Sequence, residues 1–447
     1  MMMRVMAGCL VALSGCLFST FAAAEVPITL AARLAQPVMK AGEKQHNYLR
    51  IGLNGCKPDR KTDRTPVNVV FVIDRSGSMQ GTRIAQAREA AIMAVNRLDP
   101  TDIASVVIFD DKIDVLVPAQ KVIDRKLFTD AIRQVGARGS TAIYAGVSEG
   151  ASEVRKNMDA RRLNRVVLLS DGLANVGPSK PDDFAQLGRE LLKQGISVST
   201  IGLGKDYNED LMLQLAKAGD GNHAFAAAPD DLIKIFNKEF DDVLASCAQT
   251  VSIDVDLAPG ARVVRAISRD AEIKPEHATF QMNQVYQDTE HYVLLEVEVD
   301  GKPPSAERDF GHVRVAYTVS STGQKQTLNA TIRGRFSKSA DEAKASLDQS
   351  VQEAVVEQNT RARAQIAVDL MKKGRRDEAV KLFKENVAEI QAYVGNGGNK
   401  SANMKDLEQT YGGYAATVST AAPAAINDYS KALRARDLSA AGAKSKY

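Results

Sequence analysis

Residues 70–78 read VFVIDRSGS, and the fold turns on how this stretch is read. Val69, Val70, Phe71, Val72 and Ile73 form an unbroken apolar run that closes on an acid, Asp74. Only a strand covered on both faces tolerates such a run, so the stretch predicts a buried parallel strand with Asp74 at its carboxyl end. Asp74, Ser76 and Ser78 then fall within five residues, so three hard oxygen donors enter one turn.

Two later segments follow the same logic. RGSTAI places Thr141 just before a helical pattern, and RVVLLSDG places Asp171 after a second apolar strand. Each residue also has an ordinary reading: Ser78 caps the helix near Arg83, Asp171 forms a turn with Gly172, and Thr141 is an N-cap. The five together, each following the right element, favour a ligand set over coincidence. In order and context DxSxS, then Thr, then Asp resembles the metal-ion-dependent adhesion site of von Willebrand factor A domains over roughly Pro66 to Ala245.

The resemblance implies that Asp74, Ser76, Ser78, Thr141 and Asp171 hold a divalent cation. Carboxylates and hydroxyls without Cys or His suit a hard ion, so Mg2+ is the expected cofactor, with Mn2+ or Ca2+ as alternatives. Magnesium is seldom caged entirely by protein, which leaves a coordination position for an Asp or Glu carboxylate of a protein partner.

Around this core, strands and helices alternate. Helices are expected near Arg83 to Leu98, Lys126 to Val135, Ala142 to Met158, Asp182 to Lys193, Glu209 to Ala218 and Asp230 to Leu244, with strands ASVVIFD, a short VLV, RVVLLS, ISVSTIGLG and HAFAAA between them. That is an α/β, doubly wound, Rossmann-like sheet, whose ligands sit outside the carboxyl ends of the strands where the order reverses. The run from Gly202 to Phe236 is similar to bacterial proteins related to calcium-activated chloride channels and to inter-alpha-trypsin inhibitor heavy chains. In integrin-like relatives, site occupancy is linked to sliding of the domain's last helix, here Asp230 to Leu244.

From Thr250 to Phe336 the apolar period becomes two, as in Val251, Ile253, Val255 and Leu257, the mark of half-buried antiparallel strands. Leu49, Ile51 and Leu53 alternate in the same way before the metal domain. One β-sandwich with the metal domain inserted is therefore expected, a linear string of domains being the alternative. The expected segments are a signal peptide at 1–24, first sandwich strands at 25–57, the metal domain at 66–247, further sandwich strands at 250–336 and a helical region at 339–447. That last region breaks at Lys373 and Gly374 into a hairpin, its apolar stripes serve internal packing, and its final AGAKSKY is frayed.

The chain has 447 residues, 44% of them hydrophobic, enough for several cores. A formal charge of +3, falling to +2 without Arg4, gives no sign of nucleic-acid binding. The first residues, MMMRVMAGCLVALSGCLFSTFAAAE, read as an export signal cut after Ala24. LSGC at Leu13 to Cys16 also resembles a lipobox, so a lipid anchor at Cys16 is the competing outcome and the membrane's only foreseen role. The protein is expected in the periplasm or secreted. In that oxidising setting Cys56 and Cys247, which flank the metal domain, are expected to pair.

A binding protein without enzymatic activity is the first expectation. A metal-assisted hydrolase would polarise a water or phosphate, but His46, His223, His277, His291 and His312 all lie outside the motif. A structural envelope protein with a metal-stabilised domain is the third reading.

Overall fold

The computed structural model describes residues 28–57, 65–204, 208–226, 231, 235, 245–441 and 444–446. The export leader with Cys16, most of the linker before Pro66, and most of the Asp230 to Leu244 helix lie outside the described residues.

Three N-terminal strands come first: β1 (Thr29–Leu34), β2 (Val38–Lys40) and β3 (Gln45–Asn54). The next segment runs β4 (Val67–Asp74), α1 (Thr82–Asn96), β5 (Ile103–Phe109), β6 (Ile113–Lys121), α2 (Arg125–Arg133), α3 (Ile143–Arg155), β7 (Leu163–Ser170), α4 (Pro181–Lys193), β8 (Ile196–Leu203), α5 (Glu209–Ala218) and β9 (His223–Ala226). Its sheet has the order β6-β5-β4-β7-β8-β9, parallel except for the β5–β6 pair. The VLV expectation understates β6, a nine-residue edge strand whose Asp114, Pro118 and Gln120 face solvent. An edge strand needs only one apolar side, and Pro118 is tolerated where no neighbour requires its N–H.

Strand β4 is apolar throughout because each face meets a different layer. Val69, Phe71 and Ile73 pack with Ala87, Ala91 and Phe128 on one side, while Val70 and Val72 pack with Val147, Ala151 and Phe184 on the other. Helix α3 lies unusually close to this sheet. A Cβ on Gly146 would stand 2.7 Å from the Phe109 ring, and one on Gly150 would stand 2.5 Å from Val72 Cγ2. Two glycines four residues apart thus let the start of α3, and Thr141 before it, settle over the strand ends.

The chain continues through β10 (Ser246–Leu257), β11 (Ala261–Ala266), β12 (Ala271–Lys274), β13 (His277–Tyr286), β14 (Thr289–Val299), β15 (Arg308–Val319) and β16 (Lys325–Ser337). These strands join β1, β2 and β3 in two sheets, β1-β3-β14-β11 and β12-β13-β10-β15-β16-β2, around one core with Ile51, Ile253, Phe280 and Val313. Since β3 pairs with β14 while β4 to β9 lie between them in sequence, the α/β segment is an insertion in the sandwich. Cys56, just after β3, and Cys247, on β10, form a disulfide at its base with Cα atoms 6.0 Å apart. Arg165 on β7 donates to Gln284 Oε1 on β13 at 2.8 Å, which ties the two units a second time.

The helical region comprises α6 (Ala340–Ala345), α7 (Gln349–Lys372), α8 (Arg376–Gly395), α9 (Ala402–Thr417) and α10 (Pro423–Ala441), followed by a short strand β17 (Lys444–Lys446). Ala343, Leu347, Val351, Ala354 and Val355 have the spacing of one helical face, yet they do not lie on one helix. Asp348 accepts hydrogen bonds from Ser350 N and Val351 N, capping a new helix and ending the old one. Gly374, with φ +74°, ends α7, and α7 to α10 build their own core around Phe383, Leu407 and Tyr411. The C-terminal tail also differs from the frayed end expected of it, because β17 pairs with β14. Among the described residues no helix is long and apolar enough to cross a membrane.

Candidate metal centre

Chain order places the site. From β4 the chain moves to β5 and β6 on one side, then returns to add β7 on the other, so the strand order reverses between β4 and β7. Asp74 ends β4 and Asp171 follows β7, and the two strands are hydrogen-bonded neighbours. The two carboxylates therefore lie at the carboxyl end of the sheet beside its reversal point, the place where such sheets bind ligands.

Asp74 is fully buried. Its Oδ1 accepts Ser76 N at 2.8 Å and its Oδ2 accepts the Ser170 hydroxyl at 2.5 Å. Burial pushes its pKa up to about 6, against the two serines, which favour the ionised form, and the Asp171 charge adds to the rise. Ser76 is buried and its Oγ lies 3.1 Å from the Oγ of Ser78, an exposed residue on the 3₁₀ turn Gly77–Met79. Asp171 is fully buried, with Arg83 Nη1 at 3.2 Å from Oδ2 and Leu173 N at 3.4 Å from Oδ1.

Backbone bonds lace the three loops together. Gly77 N donates to Gly139 O at 3.0 Å and Arg138 N donates to Arg75 O at 2.6 Å, joining the DxSxS turn to the loop before α3. Asn175 N donates to Thr141 O at 3.1 Å while Thr141 N donates to Asn175 Oδ1 at 2.7 Å, joining that loop to the one after β7. Buried Thr141 is thereby held by its backbone where the loop before α3 meets the loop after β7. Asp110 supports the floor. Burial works against its charge, but Lys112 N and the guanidinium groups of Arg138 and Arg75 hold its pKa below the usual carboxylate range.

Ser170, Asn175 and Arg83 contact the candidate residues Asp74, Thr141 and Asp171 and are not marked by the motif. Ser170 could be suspected only as the last residue of an apolar strand beside Asp171. Arg83 reaches Asp171 across 88 residues of sequence, which no local pattern announces.

The donor set suits a small hard cation. Two buried carboxylates supply charge, and the hydroxyls of Ser76, Ser78 and Thr141 supply neutral oxygens with lone pairs to spare. Among the described residues no group of three or more His, Cys, Asp or Glu side chains gathers into a metal-binding arrangement, here or elsewhere, so an ion at this place would depend on the hydroxyls beside the two carboxylates. The buried Asp74 charge is what a cation would relieve.

Comparison with known proteins bears on the domain that carries these residues. A family model for the von Willebrand factor type A domain matches residues 68–238. An uncharacterized protein of Synechocystis sp. is 25% identical over 368 residues, which is 80% of this chain and 86% of that protein. Inter-alpha-trypsin inhibitor heavy chain H3 of Homo sapiens is 28% identical over 172 residues, 36% of this chain but 19% of that protein. The uncharacterized protein YfbK of Escherichia coli is 28% identical over 219 residues, 48% of this chain and 38% of that protein, so the matches span under half the length of these last two relatives. Among solved structures, a von Willebrand factor type A protein from Catenulispora acidiphila superposes with a TM-score of 0.72 at 17% identity, covering 86% of this chain and 89% of its own. The ArnB paralog VWA2 from Sulfolobus acidocaldarius gives 0.61 at 16% identity, covering 91% and 98%. At such identities the structural likeness concerns the fold alone.

Proposed function

Because residues 68–238 form a von Willebrand factor type A domain, a family of protein-interaction domains that commonly bind a divalent metal, we propose that this chain is an exported binding protein of the cell envelope. It docks an Asp or Glu carboxylate of a protein partner on a Mg2+ ion held by Asp74, Ser76, Ser78, Thr141 and Asp171, and Mn2+ or Ca2+ are the alternative ions. The observation that carries the reading is that two fully buried carboxylates, Asp74 and Asp171, and the mutually bonded loops that bear Ser76, Ser78 and Thr141 meet at the point where strand order reverses. A cation relieves the cost of burying Asp74 as an anion, and an ion with an open position then offers the partner a ligand site.

Export is supported by the leader sequence and agrees with a disulfide at the base of the inserted domain. The mature protein begins at Glu25, with acylation at Cys16 as the competing anchor. Segments 25–57 and 250–336 serve as the rigid mount of the metal domain at 66–247. The helices of 339–447 brace that domain, with Lys372 Nζ 2.5 Å from Glu209 at the start of α5.

A pull-down from envelope extract tests the reading, comparing Mg2+ with EDTA and wild type with Asp74→Ala and Thr141→Ala. A partner retained only by wild type in Mg2+ is expected. Retention of the same proteins in all four conditions would refute metal-mediated recognition.

A further inference from the structure

Arg83 stands beside the metal centre with a guanidinium aimed at its second carboxylate. Nη1 lies 3.2 Å from Asp171 Oδ2 and donates to Ser78 O at 3.1 Å, so one group bridges the DxSxS turn and the loop after β7. Its side chain is 23% exposed, against 0% for Asp171. The seat is shaped for it, since a Cβ on Gly204, at the end of β8 with φ +82°, would stand 2.4 Å from Arg83 Nε. Any side chain there would displace the guanidinium.

We infer that Arg83 is a built-in counter-ion of the metal centre that weakens metal binding on its own and makes the loaded site demand an acidic partner. The inference rests on the metal-binding reading above. A fixed positive charge within a few ångströms of Asp171 repels an incoming divalent cation and competes with it for the carboxylate. Once the cation is bound, the same charge adds to the attraction for a carboxylate of the partner. A guanidinium is suited to this place because it stays protonated and its planar fork matches a carboxylate. Metal and acid then bind cooperatively, and by linkage each strengthens the other equally. The domain would discriminate against neutral partners and hold its ion only loosely between engagements.

Calorimetric titration with MgCl2 alone tests this on the mature protein, comparing wild type, Arg83→Met and Arg83→Lys, with Asp74→Ala as the control. Arg83→Met keeps the stem without the charge and is expected to bind Mg2+ about tenfold more tightly, as loss of one nearby positive charge implies. Arg83→Lys keeps the charge and stays close to wild type. Thermal melting gives a second readout: in EDTA Arg83→Met melts below wild type, and its gain on adding Mg2+ is larger. If Arg83→Met does not fold, Arg83→Gln takes its place in both measurements. Equal or weaker Mg2+ binding by the neutral variant, with wild-type binding intact, overturns the inference and leaves the metal site standing. Heats that are the same for wild type and Asp74→Ala overturn both.

Discussion

The Ser170 hydroxyl donates to Asp74 Oδ2 at 2.5 Å, from the strand beside the one that Asp74 ends. The same Oγ accepts Gly172 N at 2.8 Å, so one serine orients the first carboxylate and pins the turn that carries the second. Its single proton is committed to Asp74, and its donation opposes the burial that pushes that carboxyl's pKa up to about 6.

Ser170→Ala removes that hydrogen bond and is expected to weaken Mg2+ binding about tenfold, the scale of one hydrogen bond to a charged group. The defect should deepen as pH falls, because Asp74 then protonates more readily. Titrations of Mg2+ at pH 6.5 and pH 8 measure both effects. Unchanged affinity at both pH values would remove Ser170 from the site.

Acid should act on two buried groups in opposite directions. Asp74 has its pKa raised from 3.8 to about 6, so its protonated form suits the folded state, and metal-free stability is lost as pH rises through that range. His223, whose Nδ1 lies 2.8 Å from Thr200 Oγ1, has its pKa lowered by burial from 6.5 to about 4, so its contribution is lost as pH falls from 6.5 toward 4. Each is on the order of 3 kcal/mol, and in EDTA the two act with opposite sign. Asp74→Asn should therefore become distinctly less stable between pH 6.5 and 4.5, while His223→Gln should become more stable over the same interval. Urea unfolding across pH checks this, and identical pH profiles for the two variants would contradict it.

Legibility of the site in the sequence followed how local its chemistry is. Asp74, Ser76 and Ser78 form a five-residue pattern at the end of an apolar run, so strand, turn and donors could be read together. Thr141 and Asp171 were readable from the elements beside them. Arg83 and Asn175 were not, because their partners at Asp171 and Thr141 are set by the return of β7 next to β4. The same contrast holds for the fold. Two-faced burial of β4 leaves an apolar run, whereas β6 shows only scattered apolar residues on its one covered side. The turn at Ser346 to Asp348 was hidden because Ala343, Leu347 and Val351 keep helical spacing across it. What breaks the helix there includes a bond from Val38 N to Ser346 Oγ, a partner 308 residues away.

Gly150→Val tests how α3 positions Thr141. The new side chain would meet Val72, where even a Cβ stands 2.5 Å from Cγ2, and the expected loss is about 1–3 kcal/mol of stability. Because the helix must lift from the sheet, Mg2+ affinity should fall as well. A stability loss in urea with Mg2+ affinity unchanged would show that Thr141 is held independently of α3.

Removal of the Cys56 to Cys247 bond should be costly, since it closes a loop of 191 residues. The chain-entropy relation sets an upper figure of about 5 kcal/mol. Cys56→Ser with Cys247→Ser should unfold at markedly lower denaturant, and a non-reduced digest of wild type should yield the two linked peptides. Recovery of both peptides unlinked from envelope-purified protein would contradict the bond.

The central claim is that Asp74 and its neighbours hold a divalent cation, and calorimetric titration of the mature protein with MgCl2 tests it most directly. Wild type should show one saturable site, and Asp74→Ala should show none, while retaining the cooperative unfolding of a folded domain. Indistinguishable heats for the two proteins would contradict the account.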